Sequence, residues 1–259
     1  MKIGVFGRKL TALFAVLLIP ASTCLAQVPG SSGPAGLSSA LTRLFGKTTA
    51  FSAKGEMEVT DNSNHEVSFW PMDFSILDKK IRVEIDLTQT RTRGVPAQMG
   101  AMLKQMGMSQ VISIVRPDKG LVYVIYPDQR AVMSMPLPKE DSEATEKTPN
   151  IAKTPLGKET VDGHACVKNK VVITDSAGQS TEAITWEASD LREIPIQIET
   201  RETGNTSIVR FKQIQFARPA AGFFEPPSGF TMYDTPEALK LSVMKKVVDN
   251  ASKESTKNK

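Results

Sequence analysis

The chain has 259 residues, and its 32 lysines and arginines slightly outnumber its 28 aspartates and glutamates. Three of the basic residues and none of the acidic ones lie among the first 26 residues, so the rest of the chain is nearly neutral. Because binding to nucleic acid depends on an excess of basic residues, we expect no nucleic-acid partner. Only one cysteine, Cys166, follows that segment, which excludes a disulfide framework and leaves burial of a core as the source of stability.

Residues 1–26 have the layout of a secretory signal peptide. Lys2, Arg8 and Lys9 precede an apolar stretch at 10–19, and small residues lead to Ala26. An apolar stretch of about ten residues is too short to span a bilayer, which takes about 20. We therefore expect cleavage after Ala26 and a periplasmic or secreted protein, with an uncleaved N-terminal anchor as the alternative.

Cys24 is the position at which a lipoprotein signal could end. Such signals usually place Leu three residues before the cysteine and Gly, Ala or Ser directly before it, whereas this chain has Ala21 and Thr23 there. Lipid anchoring at Cys24 is therefore not expected. No later stretch of the sequence has the length of a membrane span, so we expect no stable transmembrane segment once the signal is removed.

The remaining chain divides into three parts. Residues 27–36 are rich in Pro, Gly and Ser and predict a flexible linker. A β domain is predicted for 37–234, and a C-terminal helix with a charged tail for 235–259, where Thr235 and Pro236 suit the first helical positions. The β domain opens with a predicted short amphipathic helix over 37–47, in which helical spacing relates Leu37, Leu41, Leu44 and Phe45.

From Ala50 the apolar period changes to two, the period of a half-buried strand. The clearest segment is 81–87, where Ile81, Val83 and Ile85 alternate with charged residues. Further strands are predicted at 50–60, 65–77, 110–116, 120–126, 129–135, 156–161, 165–174, 180–187, 194–201 and 206–216. The turns between them are too short for crossover helices, so neighbours are expected to pair antiparallel. The expected fold is mainly β (α+β): an antiparallel meander curled into an incomplete β-barrel, with short helices as plug or lid.

Two segments interrupt the predicted meander. Residues 138–155 are charged and contain proline, which predicts an exposed, mobile loop. Residues 94–108 predict a short helix with one Met-rich face, formed by Met99, Met102, Leu103 and Met106. Methionine suits a surface that accommodates varied apolar partners. This helix is interpreted either as a movable lid or as a static part of the core.

Residue types that carry catalysis are sparse. His65 and His164 fit no zinc-ligand spacing, and the sequence contains no CxxC, P-loop or nucleophile elbow. His164 and Cys166 lie two apart on a predicted strand, where side chains point the same way without facing each other well. We predict no catalytic residues, no metal site and no cofactor, and we expect the protein not to be an enzyme.

The segment at 121–126 (LVYVIY) is apolar on both faces, so a second face of the sheet must be covered. The helices predicted at 37–47 and 94–108 are the available candidates. Together they suggest an apolar ligand site, whose sheet wall comes from Tyr123 and Ile125 or from the opposite face of that strand. The candidate ligand-binding residues are Leu41, Leu44, Phe45, Met99, Met102, Leu103, Met106, Tyr123 and Ile125.

Three motifs carry a resemblance to a known family: VDGHAC at 161–166, WEASDL at 186–191 leading to Ile194-Pro195, and FFEPPSGF at 223–230. They resemble an exported bacterial family of unknown function with a LolA/LolB-like fold, the fold of periplasmic lipoprotein carriers, over about residues 37–234. The resemblance implies an incomplete β-barrel whose helical lid encloses a cavity for acyl chains. In those carriers an arginine locks the lid, and Arg82, Arg91 and Arg93 are the candidates for that role here.

The expected function is that of a periplasmic, non-enzymatic binding protein for a lipid or acylated ligand, acting as a carrier or chaperone. The expected partner is thus a hydrophobic small molecule or lipid. The alternative is an envelope protein-interaction or sensor module that uses the same sheet to bind an envelope protein.

Overall fold

The computed structural model describes residues 43–137, 150–174, 178 and 180–257. Within these residues one sheet of 13 strands is accompanied by two helices, α1 (Met99–Gln105) and α2 (Pro236–Lys257), and by 3-10 turns at Arg43–Phe45, Pro117–Lys119 and Ala221–Phe224. The strands are β1 (Ala50–Asp61), β2 (Glu66–Leu77), β3 (Lys80–Asp86), β4 (Arg91–Thr92), β5 (Gln110–Arg116), β6 (Leu121–Tyr126), β7 (Ala131–Pro136), β8 (Asn150–Val161), β9 (His164–Thr174), β10 (Ser180–Ala188), β11 (Pro195–Glu202), β12 (Asn205–Gln215) and β13 (Thr231–Tyr233).

The sheet joins two meanders side by side. Its strand order is β13-β7-β6-β5-β3-β2-β1-β12-β11-β10-β9-β8, with β4 paired to β2. The long strands β1 and β12 pair in the middle, so that Met57 lies opposite Val209. The sheet is not closed into a barrel, and the path ends at β13 and at β8. The predicted fold class, a mainly β chain with an open, antiparallel meander, is confirmed.

Most predicted strands lie within two residues of their observed bounds, but three predictions need correction. The loop predicted at 138–155 is wrong from Asn150 onward, because β8 begins there; its side chains are exposed on both faces, so no alternation marks them. The short strands β4 and β13 were not predicted, and β13 pairs with β7 in parallel rather than antiparallel. The Met-rich helix is shorter than predicted, while the C-terminal helix, which the sequence predicts to end at about Asn250, continues to Lys257.

Several predictions lie outside the described residues. These are the signal peptide, the linker, Leu41 and most of the helix expected at 37–47, together with residues 138–149. Among the described residues, no helix combines the length and the apolar character needed to cross a membrane.

One face of the sheet, here called the inner face, carries the largest group of buried apolar side chains, the inner cluster. At its centre Phe51, Phe74 and Phe211 from β1, β2 and β12 surround Phe45, with ring centroids 5.0 Å apart for Phe45 and Phe51. The cluster extends to Val171 on β9 and to side chains on β7. Strands therefore supply most of the cover for one another, as expected for a sheet that curls on itself.

The opposite face of β5, β6 and β7 carries a separate group, the outer cluster. Its buried members are Leu77, Ile112, Ile114, Tyr123, Ile125, Val132 and Phe224. Phe224 belongs to residues 221–230, here called the strap, which follows β12 and precedes β13. The second face of β6 is therefore covered by the strap, which corrects the expectation that the predicted helices would cover it. The strap has no apolar period, so periodicity could not identify it.

Candidate ligand-binding site

The structure separates the predicted site residues into two groups. Leu44 and Phe45 are 2% exposed and belong to the inner cluster. Tyr123 and Ile125 are buried in the outer cluster with Phe224. Because neighbouring side chains of a strand point to opposite faces, these two groups do not meet. The other face of β6, with Val124 and Tyr126, is the one that lines the inner cluster.

Helix α1 lies at one end of the inner face. It occurs in the connection between β4 and β5, where the backbone N–H of Leu87 donates to the carbonyl oxygen of Ser109 at 2.7 Å. The helix buries none of its side chains. Three of its predicted site residues, Met99, Leu103 and Met106, are half-buried, and Met102 is 44% exposed. Met108, which follows the helix, packs against the inner cluster. Thus the connection that contains α1 contacts the inner cluster through Met108, while α1 itself buries no side chain.

The attachments of α1 are few. No side chain caps its N-terminus. At its C-terminal end the side-chain amide of Gln129 donates to the carbonyl oxygen of Met106. Lys246 of α2 donates to the carbonyl oxygen of Gln129 at 2.9 Å. The turn between β6 and β7 therefore links the two helices. Gly107, which follows α1, has a φ of 63°, a conformation that side chains other than glycine rarely adopt.

Two polar atoms of the described residues are buried without a hydrogen-bond partner: Trp70 Nε1 and Ser113 Oγ. Trp70 is 8% exposed and belongs to the inner cluster, and Ser113 is 6% exposed. Sequence reasoning did not identify Trp70 as a site residue. Nothing in a sequence shows whether an indole N–H is paired, so only the structure reveals these two atoms.

The three candidate lid-locking arginines hold other parts of the fold. Arg82 donates to Glu84 and to the carbonyl oxygen of Phe223 in the strap. Arg91 pairs with Glu66, and Arg93 pairs with Asp61 at 2.8 Å. The hydrogen bond from Arg93 lowers the pKa of Asp61 to about 2. The contacts described for these arginines involve no residue of α1, so α1 is held by Gln129 instead.

The comparisons with known proteins show similar folds at low similarity. No family model matches the chain, and a search of curated proteins found no match. Among solved structures, LprF from Mycobacterium bovis is 12% identical, with 75% of this chain and 94% of that chain covered and a TM-score of 0.38. A LolA superfamily protein from Nitrosomonas europaea is 9% identical, with 73% and 98% covered and a TM-score of 0.36. A complex of MucA and MucB from Pseudomonas aeruginosa matches at 14% identity, with 76% and 62% covered and a TM-score of 0.36.

The LolA superfamily, which one of these proteins represents, is the group whose fold the sequence motifs resemble. At such low identities and TM-scores, the similarity carries no information about what this chain binds. The functional argument therefore depends on the chain's own residues.

The described histidines and cysteine do not assemble a nucleophile. His164 Nδ1 lies 2.7 Å from Asp190 Oδ2, and the hydrogen bond lowers the pKa of Asp190. Cys166 donates to the carbonyl oxygen of His164 at 3.4 Å rather than contacting its ring, and burial raises the pKa of the thiol. No group of three His, Cys, Asp or Glu side chains within the described residues is placed to hold a metal ion. This cluster therefore lacks the nucleophile–base contact of covalent catalysis.

Proposed function

We propose that the protein is exported and binds a lipid or another acylated ligand without converting it, as a carrier or chaperone. One observation carries this proposal: the connection that contains α1 packs on the inner cluster through Met108, yet α1 buries no side chain of its own. A cover that contributes little buried area costs little to displace. Displacing α1 would open the inner face while leaving the paired strands intact.

The energetics favour an apolar ligand at this place. Burying a methylene group contributes about 0.8 kcal/mol, so an acyl chain gains about 25 cal/mol per Å² before the costs of ordering. Met99, Met102 and Met106 are flexible and polarizable, and such side chains adjust to chains of different length and shape. The proposed site therefore extends along the inner face from α1 toward Leu44 and Phe45, the second of which packs against Phe74.

Of the remaining predicted site residues, two belong to the proposed site and two do not. Leu103 shares the half-buried face of α1 and stays in the site. Leu41 stays in it on sequence spacing alone, since it lies outside the described residues. Tyr123 and Ile125 pack under the strap with Phe224, so the proposed site excludes them and takes the other face of β6 as its wall.

The first test is native mass spectrometry of residues 27–259, purified from a periplasmic extract without detergent. We expect a discrete added mass that disappears on organic extraction. A bare protein that also takes up no fluorescent fatty-acid probe would refute the proposal. The same preparation reports whether the chain starts at residue 27, as the signal peptide predicts.

The second test uses α1. Replacing Met102 and Met106 with Asp should weaken ligand retention by about tenfold or more, because a carboxylate against an acyl chain loses its hydration. The folded state should remain, since neither side chain is fully buried. Leu241→Asp is the matched control, because Leu241 is 68% exposed on α2. Unfolding of the double variant would instead show that α1 is a static part of the core.

A specific feature favours the alternative, a protein-interaction module. The edge strand β8 has 12 residues, and its side chains are exposed on both faces. An extended peptide could add to such an edge, although Pro155 and the register shift between Pro155 and Gly157 interrupt it. A protein that co-purifies in stoichiometric amount with a lipid-free chain would favour this alternative.

A further inference from the structure

The two tryptophans of the chain differ in what their indole N–H groups contact. Trp186 Nε1 donates to Glu159 Oε2 at 2.6 Å. Trp70 Nε1 is buried and has no partner within the described residues. An indole N–H can only donate a hydrogen bond, and buried tryptophans usually find an acceptor. An unpaired buried donor is rare enough in native proteins to require a reason.

Trp70 lies at the end of the inner face where β3 ends and the connection that contains α1 begins. On β2 it has the same orientation as Met72, which pairs with Ile85 on β3. Trp70 is one inner-facing position beyond that last pair, at the end of the sheet where the N–H of Leu87 is bonded to Ser109 at the base of the connection that contains α1. The helix itself rests on the next residue, since the Cα of Thr88 is 3.5 Å from the position that a side chain at Gly100 would take.

The chemistry of this position selects one kind of polar group. The buried members of the inner cluster are apolar side chains, and a charged ligand group placed among them would lose its hydration without a counter-ion. A ligand group beside Trp70 must accept a hydrogen bond and must carry no net charge. A neutral carbonyl oxygen does both. An acyl ester supplies such an oxygen next to a long apolar chain.

We infer that Trp70 Nε1 donates to the ester carbonyl of the ligand when α1 is displaced, so that the site prefers acyl esters to hydrocarbons of the same size. This inference depends on the proposed function, because it names the polar contact of that same site. It assigns the ligand class more narrowly than apolar burial does, since burial alone would favour the alkane, which has no polar atom to leave unpaired.

Ser113 provides an internal control. Its hydroxyl is also buried and unpaired, but it pairs in register with Val83, which pairs with Phe74. Ser113 is thus four residues further along the sheet than Trp70, roughly 13 Å at the usual rise of a strand. That position is remote from α1, so Ser113 should not contact the same carbonyl.

The test measures how well two competitors displace diphenylhexatriene, a hydrocarbon probe, from the mature protein. The competitors are methyl palmitate and hexadecane. For the unaltered chain we expect about a tenfold preference for the ester, as one satisfied buried donor implies. Trp70→Phe should bind the probe normally and lose the preference, while Ser113→Ala should keep it.

The outcomes separate the two claims. A Trp70→Phe chain that retains the ester preference would overturn the inference while leaving lipid binding intact. Equal loss in Trp70→Phe and Ser113→Ala would overturn it as well, because the effect would then belong to the core in general. An unaltered chain that takes up neither probe nor competitor would refute the proposed function itself.

A second measurement leaves Trp70 in place and so does not depend on how well Trp70→Phe folds. In a Trp186→Phe chain, Trp70 is the only tryptophan. A methyl ester brominated along its acyl chain should quench Trp70 fluorescence and shift its emission to longer wavelength. A bound ester that leaves Trp70 emission unchanged would overturn the inference.

Discussion

Arg116 on β5 donates a hydrogen bond from Nη1 to the carbonyl oxygen of Phe224 in the strap, 3.1 Å away and 108 positions later in the chain. The same guanidinium pairs with Asp118 at 2.7 Å and with Glu225. Its side chain is only 6% exposed. With Arg82, which donates to the carbonyl oxygen of Phe223, it holds the strap against the outer face.

Replacing Arg116 with Met should lower the free energy of unfolding by about 2 kcal/mol. Met retains much of the apolar stem, but the strap loses its hydrogen bonds and ion pairs. The cost stays below that of breaking a fully buried pair, because Asp118 and Glu225 are themselves 47% and 42% exposed and can be hydrated. Urea unfolding measures the change. Arg91→Met is the control: its pair with Glu66 is exposed, so its loss should cost much less stability than the loss of Arg116. Equal losses would show that Arg116 does not hold the strap.

Phe223 and Phe224 are adjacent in the chain, but only Phe224 belongs to a hydrophobic cluster. Phe224 is fully buried, whereas Phe223 is 41% exposed and lies under the Arg82 guanidinium at 4.0 Å. Phe224→Ala should cost about 3–5 kcal/mol, because it leaves a cavity in the outer cluster. Phe223→Ala should cost about 1 kcal/mol, mainly from the lost cation–π contact. Thermal and urea unfolding of both variants would check the ranking, and the reverse order would contradict the strap as a structural cover.

Acid should weaken the attachment of the strap. Hydrogen bonds from Lys119 and Arg116 hold the pKa of Glu225 below its ordinary value of 4.5, and Arg116 lowers the pKa of Asp118. A carboxyl whose pKa is lower in the folded state stabilises that state above its unfolded pKa and loses the effect as pH falls through the folded pKa. Stability should therefore decline as pH falls below 4.5.

The measurement for this prediction is the urea midpoint from about pH 6 to about pH 3. Glu225→Gln should be less stable at the upper end and should show a shallower decline with acid. Glu237→Gln, at the exposed start of α2, controls for the loss of a negative charge elsewhere. If Glu225→Gln declines as steeply as the unaltered chain, the pair with Arg116 and Lys119 does not contribute to the acid response.

The sequence predicted the strands well wherever one face is buried, because period two is visible there. β3 is such a strand, since Ile81, Val83 and Ile85 alternate with Arg82 and Glu84. It missed the first half of β8, residues 150–155, although it predicted the second half at 156–161, because the exposed residues of that strand carry no alternation. The pairing of β1 with β12 was equally inaccessible, because it depends on contacts between residues that are far apart along the chain.

The candidate site was only partly accessible to sequence reasoning. The double-sided burial of β6 correctly implied a second covered face, but Phe224 supplies that cover, from a segment without periodicity. Consequently Tyr123 and Ile125 face the strap, while Leu44 and Phe45 face the inner cluster. The face of β6 that can line a ligand site is the one that the strap does not cover. Where the strap packs depends on contacts between distant parts of the chain, which periodicity does not reveal.

Gln129 should control how often α1 opens. Its side-chain amide donates to the carbonyl oxygen of Met106, and its Oε1 accepts from Lys246 at 3.3 Å. Gln129→Ala therefore removes a side-chain contact to each helix, while the backbone carbonyl can still accept from Lys246. We expect faster amide hydrogen exchange across Met99–Gln105, with a loss of global stability below about 1.5 kcal/mol. Lys240→Ala, on the exposed side of α2, is the control. Unchanged exchange in α1 would show that its contacts with the sheet, rather than Gln129, keep it in place.

Cys166 should be unreactive in the folded chain. Its side chain is 2% exposed, so a reagent rarely reaches the sulfur. Burial also raises the pKa of the thiol, so little of the reactive thiolate is present. We expect a disulfide reagent such as DTNB to react at least about 100-fold more slowly with the folded chain than with the chain in urea. Cys166→Ala combined with Ser189→Cys is the positive control, since Ser189 is exposed beside Cys166. Rapid reaction of Cys166 in the folded chain would mean that its thiol reaches solvent next to His164, and the enzyme hypothesis would then have a nucleophile to test.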